Sequence, residues 1–294
     1  MNRAVTFVAA SLCAALAVSS ACFAAEGTPV DFRLGRTGAS GQVQLTLERN
    51  RPGNRHSWSH SVAITDLDGL SQQQLAAPRP TPARFALIRP AGRFDCSGSV
   101  RSYKGSGRCG FRPDAGFNAM LERRGIGRPS IDQSANLAMA NVQPALFDAL
   151  ATAGYPRPTI DQAVSLGVFD VNPAYVRELA QAGYRLSSVN DLTTFKIHRV
   201  NPDLIRAYRS LGYRQLPASD LVTMSIHQVT PDFIRGFASV GYRDLPVSKL
   251  VQLRIFNVTP RDVIALQSRM GERPTADEVV SAKLVGFQPR RRQR

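Results

Sequence analysis

Pro144, Pro173, Pro202, Pro231 and Pro260 stand 29 residues apart, and Gly125, Gly154, Gly183, Gly212 and Gly241 keep the same interval, with Gly271 one residue late. A fixed period of this length across half a chain restricts the fold to a stack of similar units, because it asks each stretch to form the same small structure. The units VNPDLIRAYRSLGY, from Val200, and VTPDFIRGFASVGY, from Val229, show how closely the pattern is kept.

Each unit reads as a helical hairpin. Asn172, Asn201, Thr230 and Thr259 are N-cap residues followed by Pro at the first helical position, where a missing N–H costs nothing. Asp203, Asp232 and Asp262 then lie near the positive end of the helix dipole. Val200 and Val229 precede their caps and are placed to staple onto Ile205 and Ile234. The recurring Gly suits the left-handed position that ends the helix. Tyr155, Tyr184, Tyr213 and Tyr242 follow it and should pack back on Leu150, Leu179, Tyr208 and Phe237. Asp132, Asp161, Asn190, Ser219 and Ser248 are the expected caps of the second helix, whose apolar set includes Leu192, Phe195 and Ile197, or Leu221, Met224 and Ile226. Two helices of this size bury their faces only when stacked, so residues 113–287 are expected to form an α-solenoid of five units and a degenerate sixth.

The period also interprets single residues. His198 and His227 share their repeat position with Phe169 and Phe256, which points to packing rather than catalysis or metal ligation. Arg177, Arg206 and Arg235 recur once per unit and form the candidate ligand-binding stripe, Arg being a planar fork of donors suited to anions. The competing reading of the same residues is a solvated helix face.

Residues 25–112 have a period of two instead. Val43, Leu45 and Leu47 alternate with polar residues, and further strands are expected at Val30–Leu34, Trp58–Ile64, Arg84–Ile88, Phe94–Val100 and Gly107–Arg112, with a helical turn at Gly69–Leu75. A small antiparallel sheet or sandwich follows, so the fold class is α+β. His56 and His60 flank Trp58 on one strand face. They make a conceivable metal pair but lack an evident third ligand, so a polar surface face is the favoured reading.

Arg3, the apolar run from Ala4 to about Val18 and the stretch Cys22-Phe23-Ala24 describe a secretory signal cut after Ala24, residues 1–24. Lipidation at Cys22 is the alternative, disfavoured by Ser19 three positions earlier. Export to the periplasm or beyond leaves Cys96 and Cys109 as the remaining cysteines, and pairing positions whose numbers sum to 205 sets them opposite each other in a hairpin, with Gly98 opposite Gly107 and Val100 opposite Gly105. A structural disulfide is expected. No later stretch reaches the ~18 apolar residues of a membrane helix.

The formal net charge is +15, which by itself suits nucleic acid, but export does not. Residues 25–110 hold 12 basic and 6 acidic residues and residues 111–289 hold 20 and 16, so the excess lies on the β-rich part and in the tail Arg290, Arg291, Arg292 and Arg294, within the expected disordered segment 288–294. There is no G-x-S-x-G, no H-E-x-x-H, no G-x-x-x-x-G-K and no cluster of Cys or His, so neither a catalytic set nor a cofactor is expected.

VTPDFIRGFASVGYRDL and IHQVTPDFIR resemble the tandem repeats of a family of bacterial exported proteins, and are similar to the extracytoplasmic C-terminal module of membrane metallopeptidases of the β-lactam-sensor (antirepressor) type. FALIRPAGRFDCSGSVRSYKGSGRCGF resembles the front of that module, so the resemblance covers roughly residues 40 to 270. The peptidase's zinc motif and membrane helices are missing, so its catalytic residues do not carry over. Cys96 and Cys109 are a local variation on the module. The expectation is a periplasmic, non-enzymatic binding or scaffold protein with an envelope protein as partner. An Arg-mediated binder of an anionic envelope glycan or lipid headgroup is the second reading, and a hydrolase the third.

Overall fold

A computed structural model describes residues 30–51 and 54–286, with no side-chain description at 50–51 and 54–56. The expected signal segment, with Cys22, and the arginine tail lie outside the described residues.

The front of the chain forms seven strands: β1 (Val30–Arg36), β2 (Gln42–Arg51), β3 (Asn54–Ala63), β4 (Leu67–Asp68), β5 (Thr81–Arg89), β6 (Gly92–Arg101) and β7 (Lys104–Pro113). They make one sheet in the order β3-β2-β1-β7-β6-β5-β4, antiparallel at every pairing. The two edge strands, β3 and β4, are joined by residues 64–66 alone. A link this short reaches at most about 14 Å. The edges therefore lie near each other, and the sheet curls towards closure instead of dividing into a sandwich. Alternation turns Phe32, Leu45, Leu47, Phe94 and Phe111 inward, where they are buried. A short helix, α1 (Gln72–Ala76), follows β4 and opens with a Ser71–Gln74 capping box.

β6 and β7 pair in the expected register, Cys96 to Cys109, Gly98 to Gly107 and Val100 to Gly105. The cysteines form a disulfide with Cα atoms 4.0 Å apart. A Cβ on Gly98 would stand 2.2 Å from the Ser106 carbonyl oxygen and one on Gly107 2.2 Å from that of Ser97, with the Phe32 ring at 2.9 and 2.6 Å, so the paired backbone and the ring together fill the space that side chains would need.

Twelve helices follow among the described residues, six hairpins deep. The first helices of the units are α2 (Ala115–Arg123), α4 (Pro144–Thr152), α6 (Pro173–Gln181), α8 (Pro202–Ser210), α10 (Pro231–Ser239) and α12 (Pro260–Met270). The second helices are α3 (Ile131–Met139), α5 (Ile160–Val168), α7 (Val189–Ile197), α9 (Ala218–Ile226), α11 (Val247–Ile255) and α13 (Ala276–Leu284). First helices contact first helices (α4 with α6, α6 with α8, α8 with α10, α10 with α12), and α3, α5 and α7, like α9, α11 and α13, do the same, giving a repeated helical array. Asn172, Asn201, Thr230 and Thr259 cap as expected, each side chain accepting the N–H three residues on. The recurring Gly takes φ between +70° and +100° in every unit, which only a residue without Cβ adopts freely.

Two expectations are corrected. The second helices are capped two residues earlier than Asp132, Asp161, Asn190, Ser219 and Ser248, by Ser130, Thr159 and Ser188, and begin after Pro217 and Pro246 in the other two units. Ser130 and Thr159 carry a Gln three residues on, and Ser188 an Asp, so a reciprocal capping box satisfies two backbone N–H groups at once. Two of the residues expected as caps join neighbouring units instead: Gln162 Nε2 donates to Asn190 Oδ1 at 3.1 Å and Gln133 Nε2 to Asp161 Oδ1 at 3.5 Å. In the second correction, Ile197 and Ile226 are about half exposed, whereas Leu192, Phe195, Leu221 and Met224 are buried.

Sheet and array share one apolar core that runs from Val30 to Leu250, and a smaller cluster around Phe237, Leu253 and Val280 closes the far end. At the junction, buried Arg49 on β2 donates to Asp132 Oδ1 of α3 at 2.8 Å and to Asn136 Oδ1 at 3.2 Å. No helix among the described residues is long and apolar enough to cross a membrane.

Candidate functional site

The candidate stripe Arg177, Arg206 and Arg235 occupies one repeated, exposed position on α6, α8 and α10. Arg206 donates to Asp203 Oδ1 at 2.5 Å and Arg235 is bonded to Asp232. Two of the three cations are thus balanced by carboxylates one turn back on their own helices, an exchange worth a few tenths of a kcal/mol at an exposed site.

Other arginines have structural work that the sequence reading did not assign. Arg185 donates to the Gly154 carbonyl at 2.5 Å, Arg209 to that of Ala182 at 2.6 Å, Arg254 to that of Gln228 at 2.9 Å and Arg273 to that of Gly241 at 3.3 Å. Each reaches back to the preceding unit, to a carbonyl at a helix C-terminus, where the backbone runs short of donors and the dipole is negative. Four arginines of the array thus serve the joints between units.

A different column stands out at the solvent surface. Val168, Ile197, Ile226, Ile255 and Leu284 are the last residues of α5, α7, α9, α11 and α13, recur every 29 residues, and are between 41% and 63% exposed. Exposed Phe169 and half-buried Phe256 adjoin two of these rungs. The period itself was the signal for this ladder, because aliphatic identity at one repeat position is readable without a structure. His198 and His227 are the C-cap residues of α7 and α9, half-buried, and the His198 carbonyl accepts from Ser225.

The seam of the curled sheet holds a cavity of about 410 Å³. Its walls come from Trp58, His60 and Val62 on β3, from Arg89 at the end of β5, and from the loops after α3 and α5, which bring Asn141, Gln143 and Asp170. Trp58 and His60 pair with Leu47 and Leu45, so they stand on the core-facing side of an edge strand. Their rings stack with centroids 4.7 Å apart. Both Nη atoms of Arg89 lie 3.2 Å from Asp66 Oδ2, and Lys196 Nζ is 3.3 Å from Asp170. Gln143 Nε2 donates to Asn141 Oδ1 at 2.8 Å. Two buried donors on this wall, Trp58 Nε1 and Arg89 Nε, have no acceptor among the described residues. The His56 side chain lies outside the described residues. No group of three or more His, Cys, Asp or Glu gathers as a metal site among the described residues.

Several phenols have raised pKa values because they are buried. Desolvation pushes Tyr208 and Tyr213 up to about 12, with the Asp244 charge adding to the effect at Tyr213. All these hydroxyls join units. Tyr208 donates to the Val229 carbonyl at 2.6 Å, Tyr175 to that of Val200 at 2.7 Å and Tyr184 to that of Leu216 at 3.0 Å, while Tyr155 accepts from the Leu186 N–H. The tyrosine column therefore belongs to the joints, not to a ligand cage.

No family model, curated protein or solved structure matches the chain.

Proposed function

We propose that the protein is an exported, non-enzymatic scaffold whose helical array works as a solenoid and docks an envelope protein along the aliphatic ladder. The observation that carries this reading is the ladder itself: five aliphatic residues at one repeat position, each left substantially exposed. Burying such residues is favourable at roughly 25 cal/mol per Å² of apolar surface, and a row of them rewards an elongated partner over a small solute. Export is supported by the signal-like start of the sequence and by the Cys96–Cys109 disulfide, a bond that persists in oxidising compartments. The resemblance to the module of sensor-type metallopeptidases makes a membrane sensor a reasonable partner class.

The Arg-stripe reading draws less support, since Asp203 and Asp232 already engage two of its members.

The test is a photo-crosslinking residue introduced at positions 197, 226 and 255 in the secreted protein. One envelope protein should be recovered from all three positions, and Ile197→Ser with Ile255→Ser should reduce its capture at 226. Failure to recover a common partner from the three positions would remove the proposal.

A further inference from the structure

We infer that the cavity at the seam of the sheet is a binding site for an uncharged saccharide, one or two sugar rings in size. A volume of about 410 Å³ falls in the range of small-ligand pockets, roughly 300–1,000 Å³, and its place at the mouth of a curled sheet, under the loops of a second element, is a common one for them.

The lining selects the chemistry. The charges at the wall are already paired, Arg89 with Asp66 and Asp170 with Lys196, so neither an anion nor a cation finds a free counter-charge there. What remains is a stacked aromatic pair and the exposed amides of Asn141 and Gln143, which are bonded to each other. His60 lies on the core-facing side of β3, where the neighbouring inward positions of β2 are Leu45 and Leu47, yet it is exposed. An imidazole stacked on an indole and open to the cavity is a flat, polarisable surface for the C–H face of a pyranose ring. Asn141 and Gln143 add amide groups to the lining; with Gln143 Nε2 held by Asn141 Oδ1, they leave Asn141 Nδ2 as a donor and Gln143 Oε1 as an acceptor for vicinal hydroxyls. A peptide added to edge strand β3 would instead be read through main-chain bonds in the plane of the sheet. The cavity offers side chains on its face.

Trp58 is the single tryptophan of the chain, so its emission reports on this cavity directly. The experiment titrates the full-length secreted protein with N,N′-diacetylchitobiose and, separately, with a neutral tripeptide. The disaccharide should produce a saturable change in Trp58 emission, and Asn141→Gly and Gln143→Ala should each weaken that binding at least fivefold. Asn141→Gly keeps the positive φ of +52° that this position requires, and circular dichroism and melting temperature verify that both variants stay folded. Absence of a saturable response up to 10 mM disaccharide, a response to the tripeptide alone, or unchanged affinity in both folded variants overturns the inference.

Discussion

Tyr213 donates its phenolic hydroxyl to the Leu245 carbonyl at 2.7 Å, a bond that closes a span of 32 residues and ties one hairpin to the next. Tyr184 makes the same bond to Leu216 and Tyr242 makes it to Pro274. Tyr213→Phe keeps the ring and removes only the donor. A loss of about 1–2 kcal/mol is expected, since a partly buried carbonyl loses its partner. Urea unfolding of the variant measures this loss. An unchanged midpoint would mean that the bond does not carry the joint.

Alkaline pH should act on the same joints. Tyr208 and Tyr213 titrate at about 12 when folded, against about 10 in the unfolded chain. The phenolate is therefore favoured by unfolding. The stability held by these two groups is complete below pH 10 and drains away as the pH rises through about 12. Thermal melts between pH 9 and 12 should show a falling midpoint that Tyr208→Phe with Tyr213→Phe makes shallower.

Two residues past the end of every second helix from α3 to α11 stands a residue with positive φ, Asn141, Asp170, Arg199, Gln228 and Asn257. Asn and Asp adopt that conformation at less cost than Arg and Gln. Arg199→Gly and Gln228→Gly should each stabilise the protein by about 0.5–1 kcal/mol, the left-handed strain relieved exceeding the entropy that Gly adds to the unfolded chain. Chemical denaturation of each variant decides the sign.

Replacing both Cys96 and Cys109 by Ala opens a loop with a sequence separation of 13. Chain entropy assigns a loop of this size about 3 kcal/mol. The double variant should unfold at correspondingly lower denaturant, and reduction of the native protein should reproduce the shift.

The hairpin register was legible because cysteines and glycines mark it from both sides, and the first-helix caps because Asn or Thr before Pro has few other uses. The second-helix caps were not. Their column holds Ser130, Thr159 and Ser188 but Pro217 and Pro246, so no residue type announces it. The exposure of Ile197 and Ile226 was hidden for another reason. In a helix of nine residues an aliphatic side chain at the last position fits the apolar period whether or not a neighbour covers it. The seam cavity was illegible altogether. Trp58 and Asp170 meet only because the sheet curls and two helix-ending loops arrive above it.

The bonds that join units obey the same period as the sequence. Gln162 reaches Asn190 across 28 residues, and Tyr213 reaches Leu245 across 32. Each unit consults only its neighbour. Tyr184, Tyr213 and Tyr242 each reach a carbonyl 32 residues on, so duplicating or deleting one block of 29 residues among these units would return each hydroxyl to an equivalent acceptor, and the number of rungs can change by whole steps. The length of the array thus becomes a trait that gene duplication can adjust in integers.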